Sequence, residues 1–240
     1  MDCAALTPDE VVTLFPKYFT ISMIGVRNSG KSVLIQQIIK ALQAARKVDV
    51  VLVMSGSARL NDDYDFLPSS MVMNFNDALL QRIWAKQSAD KKDKKEKHIF
   101  IVFDDCLATP EAIRNNIMQK IWVQGRHVSI SSAILSQYPA YVLTPTILGN
   151  SDLLFYSKLN RQALEKLWTA TTGLALKEFI KLSESTAGVN YTYLVINNYC
   201  KNPDWREYMT CVRAVLEDKK PAAMPDNTDK NIIADPNINV

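Results

Sequence analysis

The chain has 240 residues, 48% of them apolar and 22% charged, which suits a single α/β domain with a sizeable buried core. A net charge of +3 permits contact with nucleic acid without indicating it. No apolar run reaches bilayer length, Met1-Asp2-Cys3-Ala4-Ala5 lacks the basic and apolar blocks of a signal peptide, and the four cysteines show no C-x-x-C pairing. They read as reduced thiols, with no metal site implied.

Thr7-Pro8-Asp9-Glu10 is a helix start, with Thr7 as cap and Pro8 in the first turn. Phe19–Ile24 is apolar and reads as a buried strand, and Val33–Leu42 repeats apolar residues at helical spacing. Between them lies Gly25-Val26-Arg27-Asn28-Ser29-Gly30-Lys31-Ser32, which matches G-x-x-x-x-G-K-S/T at every fixed position. Strand, glycine loop and helix form the context in which this motif holds phosphate. The loop's N–H groups can converge on phosphate oxygens, and the helix adds its positive end. The expected binding stretch is Gly25, Val26, Arg27, Asn28, Ser29, Gly30, Lys31, Ser32 and Val33. Lys31 is expected to reach the β- and γ-phosphates and Ser32 to ligate Mg²⁺.

Lys47–Met54 reads as a second buried strand. Ser55–Ser70 is polar and turn-rich, Met71–Phe75 a short edge strand, and Asp77–Trp84 a helix. Lys86–Lys97 reads as a solvated, mobile connector, with a DNA-contacting loop as the other option. His98–Phe103 is a third strand, Pro110–Trp122 a helix and Val128–Leu135 a fourth strand. Asp152–Tyr156 is a fifth, Arg161–Thr171 a helix, and Tyr191–Asn197 a sixth strand whose alternation suggests exposure. One domain over residues 1–217 with a loose tail from 218 to 240 is expected. Strands alternating with helices predict an open, mainly parallel α/β sheet.

Asp104-Asp105 closes the third strand. Adjacent carboxylates at the carboxyl end of a buried strand stand where such sheets place metal and water ligands. Asp104 is expected to hold Mg²⁺ and Asp105 to polarise the attacking water. Phosphoryl transfer needs positioned phosphates, a metal, an oriented water and positive charge. Gln137 after the fourth strand fits a γ-phosphate sensor or an ordinary polar strand end. Arg126, in Gly125-Arg126-His127, fits a charge donor to a neighbouring subunit or a surface arginine at a helix C-terminus.

Together, the phosphate loop, Phe103-Asp104-Asp105, and Gly125-Arg126-His127 followed by Gln137 resemble the genome-packaging ATPases of large DNA viruses. These are poxvirus-type members of the FtsK/HerA superfamily of DNA translocases. The likeness spans roughly residues 18–170. It implies a RecA-like P-loop fold with the glutamine strand between the phosphate-loop strand and the Asp-Asp strand. It also implies an ATPase with catalytic Lys31, Asp105, Gln137 and Arg126, and with ATP and Mg²⁺ as cofactors. The resemblance further implies a ring of five or six subunits moving double-stranded DNA, independently of its sequence, into a capsid. Capsid or portal proteins would be further partners, and the host cytoplasm and virion its locations. Arg114 and Arg161 are other candidates for the arginine role, and Arg59 and Lys86–Lys97 for DNA contact. Asp-Asp in place of the wider superfamily's Asp-Glu agrees with the viral branch and leaves the reach of Asp105 open. Other options are a different translocase or helicase of the superfamily, a P-loop kinase, and a non-catalytic ATP-binding assembly protein.

Overall fold

The computed structural model describes residues 5–56, 63–105, 115–169 and 174–216. In chain order these form β1 (Ala5–Leu6), α1 (Pro8–Val11), β2 (Thr20–Ile24), α2 (Lys31–Ala44), β3 (Val50–Ser55) and β4 (Val72–Met73). Then come α3 (Asp77–Lys92), β5 (Ile99–Asp104), α4 (Asn116–Gln124), β6 (Ile130–Ser136), α5 (Pro139–Val142) and α6 (Pro145–Asn150). The remainder is β7 (Leu153–Tyr156), α7 (Arg161–Trp168), α8 (Leu176–Thr186), β8 (Thr192–Asn197), α9 (Trp205–Tyr208) and β9 (Met209–Arg213). Residues 217–240, and with them the whole of the expected loose tail from 218 to 240, lie outside the described residues, as do Arg59 and Arg114.

The strands make one nine-stranded sheet in the order β1-β9-β8-β7-β2-β6-β5-β3-β4. Among the described strands β8 alone runs against the rest, being antiparallel to both β7 and β9. The expected mainly parallel α/β sheet is present, with the glutamine strand β6 between β2 and β5. Near-continuous Val, Ile, Leu, Met and Phe along β3 and β5 follows from burial on both faces, while β6 is equally buried but carries Ser131, Ser132 and Ser136 among its apolar residues. Period-two alternation divides these residues between two cores. Phe100, Val102, Met23 and Leu135 face α1 and α2, while Ile101, Phe103, Ile24 and Ile134 face α3, α4, α6, α7 and α8.

Local signals hold at the helix starts. Thr7 and Glu10 exchange the bonds of a capping box, with Pro8 in the first turn. The helix expected over Asp77–Trp84 runs on to Lys92, so the first half of Lys86–Lys97 is helix and not a mobile connector. Lys86 pairs with Asp90 at 2.9 Å, one turn on. Gln87 is buried and donates to the carbonyls of Lys97 at 2.7 Å and Val128 at 3.1 Å. These contacts tie the helix end to the protein body. The helix expected from Pro110 begins, within the described residues, at Asn116. The Asn115 side chain caps it by accepting from Ile117 N–H.

Two other expectations fail. β8 is buried, not exposed, because β7 and β9 flank it and both cores receive its side chains: Leu194 and Ile196 on one face, Tyr193 and Val195 on the other. Cys211 on β9 is disulfide-bonded, whereas Cys200 is a free thiol. Spacing along the chain carries no sign of such a pairing. Among the described residues no helix is long and apolar enough to cross a membrane.

Candidate nucleotide-binding site

The loop between β2 and α2 stands at the carboxyl edge of the parallel strands. Here the chain leaves β2 and returns to the sheet as β3, beyond β6 and β5. Such crossover points in α/β sheets form ligand crevices. Val26, Arg27 and Asn28 are exposed at the loop's crest, and Asn28 and Gly30 adopt left-handed φ values of 60° and 87°. Gly30 caps α2 with no side-chain bond of its own, so the first N–H groups of that helix remain open to an anion.

Lys31 folds back over the loop. Its Nζ donates to the carbonyls of Gly25 at 2.9 Å and Val26 at 3.2 Å. The side chain is buried, and burial lowers its pKa against the opposing pull of Asp105 and Asp104. A lysine so placed caps its own loop and lies within reach of any phosphate the loop receives.

The twin acids come to the same place. Period two along β5 sends Asp104 to the α2 face, with Phe100 and Val102. There its Oδ2 accepts from Ser32 Oγ at 3.4 Å and from the Tyr64 phenol at 2.7 Å. Asp104 is 5% exposed, and burial raises its carboxyl pKa from 3.8 to about 6. The Tyr64 hydrogen bond and Lys31 oppose that rise, and Asp105 adds to it. Burial likewise pushes the Tyr64 hydroxyl well up, so the phenol stays a donor.

Asp105 is exposed and leaves the strand with a left-handed φ of 47°. Gln137, half-buried past the end of β6, donates from Nε2 to Asp105 Oδ2 at 3.2 Å. The structure therefore gathers Lys31, Ser32, Asp104, Asp105 and Gln137 around one opening. Arg126 is not among them. It lies exposed in the turn before β6, at that strand's opposite end, and seven residues of strand separate the two ends by about 20 Å. It also lines a small cavity of about 150 Å³ with Thr20, Asn150 and Asp152.

Two side chains at the site escaped the sequence. Tyr64 sits in a turn-rich stretch with no periodic pattern to mark it. Tyr193 on β8 shares a 2.8 Å hydroxyl contact with Ser29, across 164 residues of chain. Only a polar position on an otherwise apolar strand hinted at it.

The donor set fits a divalent cation beside phosphate. Among the described residues no three metal-ligating side chains cluster. One hydroxyl and one carboxylate is nevertheless the protein share usual for Mg²⁺, which takes its other oxygens from phosphates and water. A carboxylate buried at a cost is also a group that a cation would relieve.

A phosphate loop closing on paired acids across a RecA-like sheet defines the class, that of the P-loop ATPases. Within it, the chain belongs to the Poxvirus A32 protein family, whose model matches residues 10–167, more than half of its length. No curated protein matches the chain in sequence. Among solved structures it is similar to the genome packaging NTPase B204 of Sulfolobus turreted icosahedral virus 2, seen with ATP-gammaS. That likeness has a TM-score of 0.57 at 15% identity, covering 84% of this chain and all of B204. It is similar also to the pCW3 conjugation coupling protein TcpA, with TM-score 0.57, 16% identity, and 82% and 60% of the two chains. A third is the cytoplasmic domain of the Thermomonospora curvata type VII secretion ATPase EccC, with TM-score 0.53, 13% identity, and 83% and 26%. At these identities the likeness is one of fold.

Proposed function

We propose that the chain is a genome-packaging motor that hydrolyses Mg²⁺-ATP to move double-stranded DNA into a capsid. The observation that carries this is the meeting of the loop and the acids: Ser32 touches Asp104 across 72 residues of chain. Family membership and the packaging NTPase fold support it. Loop N–H groups from Val26 to Val33, with Lys31, would hold the phosphates. Ser32 and Asp104 would hold Mg²⁺, whose charge offsets that gathering on the phosphate oxygens. Asp105 orients and polarises the attacking water. Gln137, bonded to Asp105, couples that carboxylate to the occupancy of the γ-phosphate position.

Arg126 is too far from its own loop to serve there, which favours a role in a neighbour's site within a ring of five or six subunits. DNA contact is assigned to the stretches Ser55–Ser70, part of which lies outside the described residues, and Lys86–Lys97. Lys86 and Lys91 already pair with Asp90 and Glu96, so the charge left for phosphates is modest. Contact through phosphates would be salt-sensitive and indifferent to sequence. Such a motor would work at the assembly site in the host cytoplasm.

The test is the ATPase rate of the full chain with and without duplex DNA and with no other acceptor, on a sample of known mass. The expected result is hydrolysis that DNA stimulates, that falls steeply with salt and that Lys31→Ala abolishes. Hydrolysis that requires a small-molecule acceptor would replace the motor with a kinase. Binding without turnover would leave an assembly protein.

A further inference from the structure

The sheet order decides which way a nucleotide must lie. The acids that take the γ-phosphate end are on and just after β5, two strands from β2 on one side. On the other side of β2 come β7, β8 and β9. β8 is reversed, so its first residues, and the last residues of β9, reach the same edge of the sheet as the phosphate loop. A triphosphate with its γ end at Asp104 and Asp105 sends its nucleoside toward this second flank.

Tyr191 is the side chain that waits there. Its ring lies against Gly30, with Cδ1 3.3 Å and Cβ 3.7 Å from where a β-carbon on that glycine would stand. Ala214 flanks the same point at 3.7 Å. Tyr191 as a whole remains 40% exposed. Tyr191 holds a left-handed φ of 59° directly after Asn190 at 49°. A bulky residue resists that conformation, and strain of this kind concentrates at ligand clamps. The strand edge fixes it: Tyr191 O accepts from Ala214 N–H at 3.2 Å. Two residues on, Tyr193 anchors β8 to the loop through Ser29. Val189 and Val215 are also exposed, at 48% and 53%. The next backbone N–H, of Val215, donates to Gln37 Oε1 on α2 at 3.1 Å. A part-exposed aromatic ring beside a phosphate loop, with exposed valines close to it and to Ala214 along the chain, suits a flat heterocycle.

We propose that Tyr191 is the platform on which the base of the bound nucleotide stacks. This deepens the nucleotide assignment above and rests on it. The platform reads a π-face and offers no hydrogen-bond code, so it takes nucleoside triphosphates with little regard to the base.

Calorimetric titration of the full chain with Mg²⁺-ATP and with Mg²⁺-tripolyphosphate, which has no base, tests the assignment. Tyr191→Asn removes the ring while keeping a residue that tolerates the left-handed backbone. It is expected to weaken ATP binding about ten-fold and leave tripolyphosphate unchanged. Tyr191→Phe keeps the ring and is expected to bind ATP within about two-fold of the parent chain. An Asn variant that binds ATP as tightly as the parent overturns the platform. Equal loss for both ligands also overturns it, since the ring would then merely shape the loop. If the parent chain binds neither ligand, the nucleotide assignment falls first.

Discussion

Tyr64 and Asp104 form a buried pair: the phenol donates at 2.7 Å to the same Oδ2 that Ser32 approaches at 3.4 Å. The bond aims the carboxylate at the loop and favours its charged form, against the burial that raises it to about 6. Tyr64→Phe deletes the donor and keeps the ring. The acid limb of Mg²⁺-ATP affinity is therefore expected to move to higher pH, with affinity above pH 8 little changed. A titration series over pH reads this. An unmoved limb would detach Tyr64 from the chemistry.

The pKa of about 6 fixes the direction of pH dependence for the parent chain. Mg²⁺ needs the carboxylate, so binding releases a proton at acid pH, and affinity is expected to fall up to ten-fold per unit below about 6. Proton uptake or release measured calorimetrically in two buffers checks the sign.

Folding stability responds the other way. A carboxyl raised from 3.8 to about 6 contributes stability that is complete below 3.8 and lost as pH rises through about 6. Asp104→Asn removes the charge and keeps an acceptor for Tyr64. It is expected to stabilise the nucleotide-free chain at pH 7 by up to about 3 kcal/mol while abolishing turnover. His98, whose burial lowers its pKa, gives the opposite slope, with stability lost as pH falls below 6.5. That slope cancels between parent and variant. Denaturant unfolding at pH 5 and 7 decides, and an Asn variant less stable at pH 7 would contradict the burial argument.

Asp105→Asn is expected to leave ATP affinity within about three-fold and to cut turnover by about a hundred-fold or more, the scale of a lost general base. Gln137→Ala frees Asp105 from its 3.2 Å contact and should lower turnover less. Single-turnover hydrolysis separates the two. Full activity in Asp105→Asn would return the water-polarising role to another group.

Arg126→Ala is expected to fold normally, since the side chain is exposed, and to be inactive in homogeneous rings. Mixing it with Lys31→Ala subunits should restore part of the activity, because an intact loop then meets an intact arginine across an interface. Wild-type rates in the pure variant would make Arg126 structural. The adjacent glycine is a separate matter. A β-carbon at Gly125 would stand 2.9 Å from the Ile130 carbonyl, so Gly125→Ala should destabilise the fold itself by about 1–3 kcal/mol.

The chain's local chemistry was enough to locate the phosphate loop, the strands around it and the paired acids. Motif spacing, apolar runs and helix caps such as Thr7 are written within a few residues of where they act. Placing β6 between β2 and β5 needed the family resemblance, since nothing in the strands' own sequences gives their order. Tertiary structure alone decided what depends on distant segments meeting. It buried β8 by adding β9 beyond it, carried the helix to Lys92 through the contacts of Gln87, and set Tyr64 on Asp104. It also brought Tyr191 and Tyr193 to a loop more than 150 residues earlier. Periodicity records which face of an element is apolar, but not which neighbour covers that face. That choice is made by packing the whole sheet, and with it the second flank of the nucleotide site.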